Sequence, residues 1–542
     1  MKTERAPFHT LMLCAVALAS VFCCGNAAAQ SASLKAVHAF MVTDGAFSYA
    51  ELALGNDGNF YGTTFGGGNN SSGTVFKVTT NGVLTSLVSF NGTNGANPRA
   101  GLTLGSDGNF YGTTQNGGSR SLGTVFQVTT NGVLTMLASF NGTNGEYPAA
   151  RLTLGRDGNF YGTTPNGGSI NIGTVFQVRT NGVLTSLVAF TDYPYNDGQP
   201  YAGLTIGGDG NFYGTTDNGG NGDCGTVFQV TTNGVLTSLV EFSGTNGCGP
   251  LASLTLGRDG NFYGTTTGGG SMNDGTVFKV TTNGVLTSLV SFTNGNGRLP
   301  YAGLTLGGDG NFYGTTVYGG NGDCGTVFQV TTNGVLASLA SFGAATGAEP
   351  HDSLTLGPNS DFYGTTFTGG NGAGGTVFVV FFSPVITTDL ASQSVLSGRN
   401  ATFSITVSSL SPLSYQWLFD GAPIVWATNS SLTISNVTTT NTGNYQVIMT
   451  NAYGSVTSSL AHLLVGIPPQ SLSALLGASG YFTVQMPGTP GFGYVLQTAT
   501  NLSLPINWQI LLTNVADTNG VWSFTDTNAG PRPARFFRTT TP

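Results

Sequence analysis

Carboxylates and aromatic rings carry most of the chemical capacity of this 542-residue chain. Asp57, Asp107, Asp157, Asp209, Asp259 and Asp309 recur in Asp-Gly steps, a pattern that raises repeated calcium ligation or paired acids for glycoside cleavage. A tight turn accounts for them more simply, because Asp-Gly accepts the positive φ angles of a hairpin. The last copy reads Asn359-Ser360 and does without the carboxylate at that place. Side chains that break a repetition are better candidates, since equivalent groups converge on one bond only if they line a central channel. Asp192, Tyr193, Tyr195 and Asp197 stand in one irregular segment, and Asp217, Asp223, Tyr318 and Asp323 in other variable loops. Carboxylates beside aromatic rings suit the binding of a sugar or a peptide.

Other chemistry is poorly supplied. Beyond residue 30 the histidines are His38, His351 and His462, with no His-Glu-x-x-His pair, no Gly-x-Ser-x-Gly elbow and no phosphate-cradling Gly-x-x-x-x-Gly-Lys loop. No metal and no cofactor is expected. The 16 Lys and Arg are scattered against 24 Asp and Glu, a net charge of -8, so nucleic acid is excluded as a partner for want of clustered positive charge.

The amino terminus reads as a signal peptide over residues 1–29: a basic start, an apolar run over 11–24, and Ala27-Ala28-Ala29 before Gln30. No later stretch approaches the roughly 18 apolar residues needed to cross a bilayer, so the mature chain is expected to carry no transmembrane segment and to be exported, whether extracellular, at the cell surface or periplasmic. Cys14, Cys23 and Cys24 leave with the leader. In an oxidising compartment Cys224 and Cys248, in successive loops of one face, are expected to pair and leave Cys324 free.

The elements that position these residues follow from repetition. Asn-Phe-Tyr-Gly-Thr-Thr recurs with its Tyr at Tyr61, Tyr111, Tyr161, Tyr213, Tyr263, Tyr313 and, after Asp361, Tyr363. Charged residues are 7% of the chain and Gly numbers 84, which fits a turn-rich all-β fold. Each unit of about 50 residues reads as four strands, exemplified by 102–104, 109–114, 124–129 and 133–140, with Asp107-Gly108 and Asn131-Gly132 as turns. The longer second-to-third and fourth-to-next-first links are Gly-rich and variable, hence loops of one face. The Phe and Tyr of the second strand and the Phe of the third are expected to fill the space between units.

The seventh copy runs through three strands into Phe381-Phe382-Ser383-Pro384, and the missing strand pattern stands at 34–40. The expected architecture is therefore a seven-bladed β-propeller over residues 30–382, closed by the N-terminal strand. Residues 383–465 read as an immunoglobulin-like sandwich, with Trp417 in the core, Tyr445 as corner tyrosine, and Val447 where a disulfide cysteine would stand. Residues 466–542 form a small C-terminal β-domain, with strands around 481–485, 494–498, 508–512 and 521–525.

Leu-Thr-Leu-Gly-x-Asp-Gly-Asn-Phe-Tyr-Gly-Thr-Thr together with Gly-Thr-Val-Phe-x-Val-Thr-Thr-Asn-Gly resembles the GloVer tandem repeat of the choice-of-anchor proteins. That resemblance implies an exported repeat domain with a variable attachment device and assigns no activity. The functional expectation is a non-catalytic binding or scaffold protein that presents its loop face to a glycan or a surface protein. The alternative is a carbohydrate-active enzyme, a glycosidase or lyase, with its site on the loop face or channel.

Overall fold

The computed structural model describes residues 32–191, 198–409, 411–451, 454–477, 481–527 and 534–541. The leader segment 1–29 and the candidates Asp192, Tyr193, Tyr195 and Asp197 lie outside them. Each repeat forms one antiparallel sheet of four strands in chain order, here called a to d. In the second unit these are Thr103–Leu104, Phe110–Thr114, Thr124–Val128 and Leu134–Ser139. The turns fall where the dipeptides place them: Gly108 donates to the Gly105 carbonyl at 3.1 Å and Gly132 to the Thr129 carbonyl at 2.9 Å. Both glycines have φ near 80–90°, which side chains with a Cβ rarely adopt. A register shift between Val125 and Phe126 bulges strand c.

The seventh sheet takes its fourth strand from the start of the chain. Ala32–Ala39 pairs antiparallel with Thr376–Phe382, setting Ala32 opposite Phe382 and Ala39 opposite Thr376. The expectation of a closed seven-bladed propeller requires correction. Within the repeats every hydrogen-bonded ladder stops at four strands, the seven units form seven separate sheets, and among the described residues no sheet closes on itself. The physical reason lies in the edges: strand a has only two residues, so it offers the next unit little backbone to extend.

Side chains join the units instead. Tyr111 of strand b stacks on Phe160 of the next unit at 4.1 Å, and Phe140, just past strand d, meets Phe176 edge-on at 5.1 Å. The same contacts recur throughout, including Phe60 on Tyr363 at 4.4 Å and Phe40 on Phe76 at 5.2 Å. Thr103 Oγ1 donates to the Leu152 carbonyl at 2.5 Å, and Thr355 Oγ1 to the Leu52 carbonyl at 2.6 Å. These aromatic side chains are fully buried, each worth about 1.5–3 kcal/mol of burial. Glycine in strand b is demanded by this layer, because a Cβ on Gly112 would lie 2.7 Å from Phe126 Cζ.

Beyond the repeats, Ser414–Phe419, Gly443–Asn451 and Ala461–Gly466 belong to one sheet that Gln393–Leu396 joins in parallel. Ala401–Ser404 pairs with Ser431–Ile434 in a smaller sheet. Trp417 is fully buried between them, and the Tyr445 hydroxyl donates to the Asn441 carbonyl at 3.0 Å, the corner expected of an immunoglobulin-like sandwich. Where a disulfide would tie the sheets, Phe403 stacks on Tyr445 at 4.9 Å beside buried Val447. The C-terminal segment forms two three-stranded sheets around fully buried Trp522 and Tyr494.

Candidate functional site

The repeated carboxylates serve the scaffold. Asp107 accepts the Asn109 amide at 3.1 Å, the Asn109 side chain at 2.7 Å and the Tyr111 hydroxyl at 2.9 Å. Burial alone would raise its pKa, but these donors outweigh burial and hold the carboxyl below its ordinary value. Tyr111 is pushed up to about 12, first by burial and then by its bond to Asp107. The seventh corner does not lose its carboxylate, as its Asn359-Ser360 step had suggested, but moves it two residues along. Asn359 Nδ2 donates to Asp361, which is fully buried and accepts the Ser411 hydroxyl of the sandwich at 3.0 Å. Among the described residues no group of three or more His, Cys, Asp or Glu side chains is placed to hold a metal.

A different set of positions breaks the repetition. Just before each strand a the chain makes a left-handed kink, at Phe47, Asn97, Tyr147, Gln199, Leu299 and Glu349, with Gly249 in the fifth unit. Such backbone costs on the order of 1–3 kcal/mol at a non-glycine residue and persists only where the surroundings enforce it. Two residues on, Tyr49, Arg99, Ala149, Tyr201, Leu251, Tyr301 and His351 reach one cavity of about 280 Å³, one side chain from each unit. The neighbouring positions repeat as Ala50, Ala100, Ala150, Ala202, Ala252 and Ala302, and only the seventh carries a carboxylate, Asp352.

Asp352 bridges units, accepting the Glu51 amide at 2.8 Å and the Ser353 amide at 2.7 Å. Desolvation, with the Glu51 charge adding to it, pushes its carboxyl up to about 7. Glu51 pairs with Arg151 at 2.8 Å, and Arg151 also reaches Thr103 Oγ1 at 3.3 Å. Both members of that ion pair also line an inner cavity of about 490 Å³ walled by strands a, so the pair stands between the two spaces.

Aromatic rings crowd one side. Tyr49 lies 4.6 Å from Phe367 and 5.0 Å from His351, whose ring meets Tyr301 edge-on at 5.4 Å. Burial, then the Arg99 charge, lowers His351 to about 4, leaving a neutral imidazole at neutral pH. The Arg99 guanidinium sits 5.1 Å from the Tyr49 ring centre and 6.0 Å from that of Tyr201. Aromatic faces, a guanidinium with no ion-pair partner among the described residues and several hydroxyl and carboxyl groups equip the cavity to bind a small polar ring.

Residues 26–205 and 191–378 match the Gloeobacter/Verrucomicrobia repeat, together more than half of the chain. The chain belongs to that family. Behind the Gloeobacter/Verrucomicrobia repeats, residues 383–451 match an immunoglobulin domain. Among solved structures, the titin M4 trigonal form is 27% identical over 15% of this chain and 95% of its own, with a TM-score of 0.15. The titin M3 domain is 30% identical over 15% of this chain and 96% of its own, with a TM-score of 0.14. No curated protein matches the chain.

The residues singled out from sequence fare unevenly in this repeat architecture. Asp217 lines the outer cavity, and burial, with Asp223 nearby, raises its carboxyl. Asp223 is occupied in capping the Gly219 amide at 3.0 Å. Tyr318 and Asp323 form a closed group with Arg298, which lies 4.9 Å from the Tyr318 ring and 2.8 Å from the Asp323 carboxylate. Cys224 and Cys248 are brought together with an S–S separation of 2.23 Å, and Cys324 stands apart from them. Tyr49, Glu51, Arg99, Arg151, Tyr201, Tyr301, His351 and Asp352 were missed. Stacking the seven units column by column would have found them, since a non-repeating residue beside a repeated Ala and Leu marks a variable position on a fixed support.

Proposed function

We propose that the protein is an exported, non-catalytic binding protein whose outer cavity captures a glycan. One observation carries this reading: seven equivalent positions deliver five kinds of side chain, Tyr, Arg, Ala, Leu and His, to a single cavity, while the strands around them hardly vary. Rings such as Tyr49, Tyr201 and Tyr301 offer faces for the apolar side of a sugar, and the polar groups between them can meet its hydroxyls. The leader pattern of residues 1–29 supports export, and the immunoglobulin-like and C-terminal domains supply a spacer between the cavity and an attachment point.

A second reading, a glycosidase or lyase, is favoured by the proton-holding Asp352 beside Glu51, two carboxyl groups whose environments differ. A glycan array screened with the mature chain, run beside a reducing-sugar release assay, separates the two. Capture without release is the expected result. Release without lasting capture would replace the binding reading by the enzymatic one, and neither signal would remove both.

A further inference from the structure

The Arg99 guanidinium and the Asp217 carboxyl of the outer cavity have no ion-pair partner among the described residues. Glu51 and Arg151 neutralise each other at 2.8 Å, and Asp352 is held by two backbone amides. His351 is enclosed by Tyr49, Tyr301 and Phe367. Arg99 is the cation of the first two: among the described residues no carboxylate lies within ion-pair distance of it, and its guanidinium lies against the rings of Tyr49 and Tyr201. A guanidinium held over aromatic faces keeps its in-plane N–H donors available, and their fork matches the two oxygens of a carboxylate. The same charge repels a cationic guest from a cavity that its aromatic walls would otherwise suit to one.

Resting on the reading that this cavity is the ligand site, we propose that it takes the carboxylate-bearing end of an acidic polysaccharide, a uronic acid residue, with Arg99 receiving the carboxylate and the tyrosines receiving the ring. Size favours a sugar over a polypeptide. At about 280 Å³ the cavity is at the small end of ligand sites, enough for a terminal ring or two but not for an extended chain laid across it. The bond is electrostatic and directional, so esterifying the carboxylate leaves the ring to stack and removes the anchor.

Calorimetric titration of the mature chain with digalacturonate, with the methyl ester of the same disaccharide, and with a triglutamate peptide tests this directly. The acid is expected to bind about tenfold or more tightly than its ester. Arg99→Gln is expected to bring the acid down to the affinity of the ester, with Arg99→Lys in between, and the acid-to-ester ratio of the unaltered protein needs no variant to fold. Equal binding of acid and ester would overturn the uronate assignment while leaving the cavity as a sugar site. Binding of triglutamate with neither sugar would replace the occupant by an acidic peptide, and no binding of any of the three would remove the assignment together with the site.

Discussion

The Asp-Gly corners and the cavity wall are built from equivalent positions of the same seven units, yet they obey opposite rules. At the corners nearly every unit repeats one arrangement, Asp to Asn to Tyr, and even the seventh keeps the carboxylate by shifting it to Asp361. At the wall the supporting Ala and Leu repeat while the residue beside them changes from Tyr49 to Arg99 to Tyr201 to His351. Carboxylates show the contrast most plainly: donors lower the pKa of Asp107, whereas desolvation raises that of Asp352. Repetition marks groups that hold the sheets together, and its failure at a fixed place marks groups facing a ligand.

The largest effect should come from removing part of the repeated layer. Deleting residues 30–40 takes away the fourth strand of the seventh sheet and the fully buried Phe40. Several burials of about 1.5–3 kcal/mol each are lost with it, and the melting temperature, followed by circular dichroism, should fall by more than about 10 °C. Unchanged melting would show that the layer is not the scaffold.

A middle-sized effect is expected at the wall. Because the folded-state pKa of Asp352 is raised from an unfolded value of about 3.9, the folded protein holds the proton more tightly between about pH 4 and 7 and loses stability as pH rises through that window. Asp352→Asn removes this titration at the cost of one backbone acceptor, so its stability relative to the parent should rise from pH 4 to pH 8 in paired thermal melts. A relative stability that falls over that range would contradict the placement of this carboxyl.

The smallest effect belongs to the corners. With its pKa lowered, Asp107 contributes stability above the unfolded value that disappears as pH falls. Asp107→Asn should lower stability by roughly 1 kcal/mol at pH 7, with the difference shrinking toward pH 3 in paired denaturant titrations. A difference that grows toward low pH would reverse the contrast with Asp352.

Strands and turns were legible because a short period and recurring Asn-Gly and Asp-Gly steps depend on neighbours within one unit, and the aromatic layer because the Phe-Tyr pair recurs in every unit. That the sheets of successive units stay separate was not. A two-residue strand a such as Thr103–Leu104 ends the ladder, so the sheets stay separate although their faces pack. The wall escaped for a related reason: Arg99 and Tyr201 are a hundred residues apart, and their meeting is set by unit stacking, which no local pattern encodes. The engagement of Tyr318 and Asp323 by Arg298 was not legible either, because an aromatic near an acid looks the same in sequence whether or not an arginine from another loop meets them.

The central claim is that the non-repeating wall, and not the outlying loops, meets the ligand. Glycan-array binding by a Tyr49→Ala/Tyr201→Ala double variant, compared with Tyr318→Ala at matched melting temperature, tests it most directly. The double variant is expected to lose capture and Tyr318→Ala to keep it. Retained capture by the double variant, or loss in Tyr318→Ala alone, would contradict it.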